Sequence, residues 1–99
     1  MATYTLSAGQ RGAYAKTLVA STVDTVDLDG SASTVEVVTD GTAAVYFTVD
    51  GTTPTVAGAT TYEVPLTGGY TAREVHGHPQ IDAVKLISAG TPKYSVTQL

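Results

Sequence analysis

Two histidines stand two residues apart in the stretch REVHGHPQID, His76 and His78, with Glu74 and Asp82 nearby. Residues i and i+2 of a strand project from one face, so both imidazoles could meet a single transition metal. A catalytic zinc, however, needs three protein ligands in a supported geometry, and Gly77 with Pro79 gives this segment the character of a turn. The sequence therefore favours solvent-exposed loop histidines. A metal bound here would suit a site shared between subunits on a symmetry axis better than a catalytic one.

Acid/base chemistry needs two carboxylates held in a cleft. The acidic residues are Asp24, Asp27, Asp29, Glu36, Asp40, Asp50, Glu63, Glu74 and Asp82. Asp40 and Asp50 each precede a glycine, the position from which a carboxylate caps backbone amides in a turn. In TVDTVDLDG, strand alternation puts Asp27 and Asp29 on one face and Asp24 on the other, the pattern of an edge strand whose charge discourages aggregation. Calcium is a minor alternative there, because the loop lacks the helix-flanked calcium pattern. No GxSxG elbow positions a nucleophile, and LTGGY lacks the lysine and the helix of a phosphate loop. Nothing in these patterns signals an enzyme, and no cofactor or metal is expected.

The formal net charge is −4, and Arg11, Lys16, Arg73, Lys85 and Lys93 are scattered singly. A nucleic-acid partner, which requires a basic patch, is not expected. There is no Cys, so disulfides, zinc-thiolate sites and thiol nucleophiles are out of reach. No run approaches the roughly 18 apolar residues of a membrane helix. The start, MATYTLSAGQRGAYAK, lacks the basic and apolar regions of a secretion signal, which predicts a chain made in the cytoplasm and not exported by a cleaved signal.

Ninety-nine residues make one domain. Val and Thr recur at alternate positions and turn residues interrupt roughly every eight to twelve residues, the signature of an all-β sandwich or barrel. Residues 1–14, with Tyr4, Leu6 and Tyr14 as isolated apolar anchors among glycines and small side chains, predict an extended N-terminal arm. Residues 15–99 predict a single antiparallel β-sandwich of about eight short strands. These strands are Ala15–Ala20, Thr22–Leu28, Thr34–Thr39, Ala43–Val49, Thr60–Pro65, Ala72–Val75, Ala83–Ser88 and Lys93–Leu99. Thr34–Val49 reads as a hairpin with a three-residue loop, which puts Val35, Val37, Ala43, Val45, Phe47 and Val49 on one face. Ala83–Leu99 reads as a second hairpin, with Val84, Leu86, Tyr94 and Val96 inward. Pro54, Pro65, Pro79 and Pro92 end strands or sit at edges.

Six tyrosines stand against one Phe and no Trp. Each could pack at the rim of the core, but Tyr is also favoured at interfaces. Ile87 breaks its strand's alternation, and beside Tyr46 or Tyr94 it would form an apolar patch. The candidate interface residues are therefore Tyr4, Leu6, Tyr14, Tyr46, Ile87 and Tyr94.

The stretch VYFTVDGTTPTVAGATTYEVP, followed by REV and then VKLISAGTPKYSVTQL, resembles small virion proteins of tailed bacteriophages, especially those infecting actinobacteria. The shared features are a strand ending in a DGTxPT turn, a short strand ending at Pro, and a VKLIS strand that turns through Gly into KYSV. The resemblance spans Val45–Leu99. It implies a structural β-sandwich protein without catalytic residues: a capsid decoration, or cement, protein that stabilises the head shell. It also implies the major capsid protein as partner, a place on the virion's capsid surface, and a homotrimer around a local three-fold axis. The arm would then reach onto the shell, so that removing Ala2–Tyr14 should leave a folded domain unable to bind. Similar modules occur as tail or tail-tip components, and a receptor- or carbohydrate-binding module is a further alternative.

Overall fold

Alternating apolar and polar side chains give a strand one face that must be covered, and two sheets laid face to face cover each other. The computed structural model, which describes residues 1–77 and 80–99, has this architecture. Among the described residues there are nine strands and no helix: β1 (Thr3–Thr5), β2 (Gly12–Thr17), β3 (Asp24–Asp27), β4 (Thr34–Thr39), β5 (Val45–Thr48), β6 (Tyr62–Val64), β7 (Thr71–His76), β8 (Ala83–Ser88) and β9 (Lys93–Gln98). One sheet has the order β1-β3-β8-β5-β6 and the other β2-β9-β4-β7. All pairings are antiparallel except that of β1 with β3, which is parallel.

The two expected hairpins are not hairpins. β4 and β5 belong to different sheets, as do β8 and β9. The apolar faces were nonetheless largely read correctly: Val35, Val37, Val45, Phe47, Val84, Leu86 and Val96 are fully enclosed and Tyr94 is 1% exposed, while Ala43 and Val49, expected on the same face, are half-buried. Alternation fixes which face of a strand is buried, and two strands that face each other across a core satisfy it as well as two strands side by side. β8 and β9 occupy interior positions of their respective sheets, which suits their apolar character. Enclosing a side chain such as Phe47 or Leu86 stabilises the fold by about 1.5–3 kcal/mol each.

Gly41 explains the turn between β4 and β5. Its φ of +72° suits glycine, and a Cβ there would collide with the Gly69 carbonyl oxygen. Its own carbonyl accepts hydrogen bonds from the amides of Thr67 (3.2 Å) and Gly68 (3.1 Å), docking the turn onto the loop between β6 and β7.

Residues 1–14 do not form a free extended arm: they hold two strand segments joined by a turn, which the Gln10 amide closes by donating to the Ser7 carbonyl (2.9 Å). β1 pairs with β3 through Thr3↔Thr25, Tyr4↔Val26 and Thr5↔Asp27, while β2 begins at Gly12 and pairs with β9. Leu6 and Ala13 are each 5% exposed and join the core. The anchors Tyr4 and Leu6 carry a strand's period of two. Burying Leu6 and bonding β1's backbone to β3 holds the segment down. β3 is consequently covered by β1 and is not an edge strand.

Strand direction sorts the connections. The loops after β2, β4, β6 and β8 lie at one end with Met1, and those after β1, β3, β5 and β7 lie at the other. Leu99 is at this second end, where its amide donates to the Thr34 carbonyl (3.0 Å). Pro65 directly follows β6 and Pro92 directly precedes β9, as punctuation should; Pro54 lies in the connection before β6 and is buried. Pro79 lies outside the described residues.

Candidate interaction surface

A sandwich has two lateral seams where edge strands of its sheets meet. At one, Arg73 of β7 reaches across to β6: its Nη1 donates to the Glu63 carbonyl (3.2 Å), and its guanidinium lies 5.1 Å from the centre of the Tyr62 ring. At the other, Lys16 of β2 places its ammonium 4.6 Å from the centre of the Tyr4 ring on β1. Each seam is thus bridged by a cation over a tyrosine face, a contact worth about 0.5–1 kcal/mol where exposed.

The β1/β2 seam is also a groove of about 480 Å³ lined by residues that include Tyr4, Leu6, Gln10, Tyr14 and Lys16. It brings together the three candidate interface residues of the N-terminal segment, in unequal states. Tyr14 is 52% exposed, Tyr4 is half-buried, and Leu6 is enclosed by the core. β1 bonds to β3 on one side only. Thr25 N donates to Ala2 O and Leu6 N donates to Asp27 O, both at 2.9 Å, so alternation turns the peptide groups of Thr3 and Thr5 the other way. Along β2, the register shifts between Ala13 and Lys16 and Ala15 has φ +56°, an irregularity of the kind that blunts an edge against indiscriminate pairing.

The remaining candidates divide. Tyr46 is half-buried on β5 and sits directly across from Ile87 on β8, the adjacency expected of an apolar patch. Ile87 itself is only 8% exposed, because the outer face of this interior strand has neighbours on both sides. Burial, together with the charge of Glu63, raises the Tyr46 hydroxyl's pKa above its ordinary value. Tyr94 is not a surface residue, since its ring points inward from β9 into the core. Tyr70, which no sequence pattern singled out, is 85% exposed in the β6–β7 loop, where Leu66 is also exposed.

Sequence reasoning missed the buried polar pair. Asp24, 1% exposed, accepts a hydrogen bond from the Tyr94 hydroxyl (3.0 Å) across the core and another from the Ala2 amide (3.2 Å). Burial, reinforced by the neighbouring Asp24 charge, pushes the Tyr94 hydroxyl's pKa far up. The signal was present: Asp24 shares the parity of Val26 and Leu28, the inward face.

Asp40 and Asp50 are turn caps, as expected, and Asp29 is a third. Each accepts bonds through one carboxylate oxygen from both the amide and the hydroxyl of the residue two positions on: Ser31, Thr42 or Thr52. Those bonds hold Asp29 and Asp50 below the ordinary carboxylate range. At Asp40 burial opposes ionisation, but the Thr42 bonds and the Lys93 amide and charge outweigh it.

His76 is exposed at the end of β7. Its Nδ1 lies 2.8 Å from Thr34 Oγ1 and its Nε2 3.4 Å from Glu74 Oε1. His78 lies outside the described residues. Among the described residues, no three His, Cys, Asp or Glu side chains are grouped to hold a metal. No protein-family model matches the chain, and no curated protein matches it.

Proposed function

We propose that the chain is a non-enzymatic structural protein of a tailed-bacteriophage virion. It decorates and stabilises the head shell as a homotrimer, with the major capsid protein as partner. The resemblance of Val45–Leu99 supports this reading, and the features that carry it serve as scaffold. In DGTTPT, Asp50 fixes Thr52, and the Thr48 hydroxyl donates to the Thr52 carbonyl at 2.6 Å.

The observation that carries the proposal is the β1/β2 flank. There a half-open seam, an unpaired stretch of β1 backbone and the exposed ring of Tyr14 offer a subunit or shell contact that combines strand pairing with aromatic burial. Such contacts are individually modest and gain strength when an oligomer makes several at once.

Because β1 and the start of β2 belong to the sheets, deleting Ala2–Tyr14 would damage the fold and cannot isolate binding. The informative variant is Tyr14→Ala, combined with Lys16→Glu. Heads assembled without this protein are mixed with it and sedimented, and solution mass is read by light scattering. The proposal expects a trimer that co-sediments saturably, with binding reduced at least tenfold in the folded double variant. Failure of the unaltered protein to co-sediment at micromolar concentration refutes it.

A further inference from the structure

Three Asp-Gly pairs occur in the chain, Asp29-Gly30, Asp40-Gly41 and Asp50-Gly51, and each is followed by Ser or Thr. An aspartate before glycine is open to a reaction that needs no enzyme, because the glycine nitrogen, unscreened by a side chain, can attack the carboxyl carbon. The three carboxylates are clamped alike by the residue two positions on, but they differ in what else holds them. Asp29 Oδ2 also accepts from the Gly9 amide (3.3 Å), and Gly30 is half-buried. Asp40 Oδ2 accepts from the Lys93 amide (3.2 Å), and the Asp40 amide donates to the Lys93 carbonyl (3.1 Å). The buried Gly41 donates from its nitrogen to Thr39 Oγ1 (3.3 Å), while its carbonyl is bound by the loop between β6 and β7. Among the described residues Asp50 has no such distant anchor. Its Oδ1 accepts from the Thr52 amide (3.1 Å) and hydroxyl (2.6 Å). Asp50, Gly51 and Thr52 are all exposed, and a Cβ added at Gly51 would meet nothing within 4 Å.

We infer that Asp50-Gly51 is a modification site for aspartyl isomerisation, and that the Thr52 hydroxyl is the brake on it. First the Gly51 nitrogen bonds to Asp50 Cγ and gives up its proton, and one carboxyl oxygen leaves as water, closing a succinimide ring. Water then opens the ring. Addition at Cγ restores aspartate. Addition at the Asp50 main-chain carbonyl breaks that carbonyl's bond to the Gly51 nitrogen and leaves the chain running through Cγ, as isoaspartate. The water lost on closure is regained on opening, and nothing is oxidised or reduced.

Closure requires the backbone to rotate until the glycine nitrogen meets Cγ. At Gly41 that rotation works against the bonds to Thr39, Thr67, Gly68 and Lys93, and at Gly30 against the Gly9 link. At Gly51 it works against the Thr52 clamp alone. The clamp keeps Oδ1 turned toward Thr52 and favours the carboxylate anion, from which oxygen departs less readily than from a neutral carboxyl. Isoaspartate would add one carbon to the main chain just after β5 and free Thr52, whose carbonyl accepts from Thr48 Oγ1 (2.6 Å).

The test ages the folded chain at pH 7 in water enriched in heavy oxygen, so that each ring opening leaves one labelled oxygen, and reads the label by peptide mass spectrometry. An isoaspartate-specific carboxyl methyltransferase with labelled S-adenosylmethionine counts the isomerised product. Label should gather at Asp50 about tenfold faster than at Asp29 or Asp40, the factor set by one further hydrogen bond to a charged group that must break before closure. In denaturing urea the three sites should converge. Thr52→Val, at an exposed position and checked for fold by circular dichroism, should speed labelling at Asp50 severalfold and leave Asp40 unchanged. Equal label at the three sites of the folded chain, more label at Asp29 or Asp40, or none at Asp50 while the unfolded chain is labelled overturns the site. An unchanged rate in folded Thr52→Val overturns the brake.

Discussion

Replacing Tyr94 by Phe removes one oxygen and leaves the ring. Tyr94 and Asp24 are each 1% exposed, and the hydroxyl donates to the carboxylate at 3.0 Å. Without it, Asp24 keeps only the Ala2 amide at 3.2 Å. No large cavity opens, so the cost is that of a hydrogen bond to a charged group, about 1.5–3 kcal/mol. For a domain of this size each kcal/mol moves the melting temperature by roughly 4–8 °C, so a loss near 2 kcal/mol lowers Tm by about 8–16 °C. Calorimetry and urea unfolding at pH 7 measure it. The same substitution should flatten the alkaline limb. In the parent chain the enclosed hydroxyl holds its proton while the unfolded tyrosine ionises near pH 10. Its stabilisation is therefore present below about pH 10 and declines as pH rises beyond it. A Tm within about 2 °C of the parent would refute the reasoning, because Asp24 would then not depend on this donor.

Acid should also weaken the fold: the depressed pKa values of Asp29, Asp40 and Asp50 give stability that is present above about pH 4 and lost as pH falls through the folded-state values. Melting curves from pH 7 to pH 2 test this, and Asp50→Asn should make the acid limb shallower. Gly41→Ala and Gly51→Ala form a contrast. Both positions have positive φ, but only at Gly41 would the added methyl strike backbone, so Gly51→Ala should cost about 1 kcal/mol and Gly41→Ala at least 2 by urea unfolding. Deleting residues 2–14 removes β1, the start of β2 and the enclosed Leu6; circular dichroism and hydrogen exchange should show loss of the cooperative fold.

Fold class and most strand positions were legible because alternation is local, although the strand expected at Ala15–Ala20 runs instead over Gly12–Thr17. Thr34–Thr39 and Ala83–Ser88 occur with the expected bounds, and their inward residues are those that parity selects. Pairing partners were not legible. The short links 40–44 and 89–92 look like hairpin loops, yet each crosses between sheets, and nothing local distinguishes a neighbour beside a strand from one facing it. β1 was missed because three residues carry little periodic signal; parity placed Tyr94 inward correctly, but its role as an interface candidate fails, and its hydrogen-bond partner lies 70 positions away. Tyr14 stayed exposed, whereas Leu6 joined the core and Ile87 was covered on the outer face by neighbours that the sequence does not display as adjacent.

The opposite placement of Met1 and Leu99 has a mechanical consequence. A pull on both would load β1 and β9 along their lengths, so that hydrogen bonds share the force in shear and do not unzip one by one. The two terminal strands would not yield together. β9 is six residues long with partners on both sides, whereas β1 has three residues and one partner. Tension would strip β1 first, taking the enclosed Leu6 out of the core with it. The N-terminal strand would thus yield before the C-terminal one, because its grip on β3 is short.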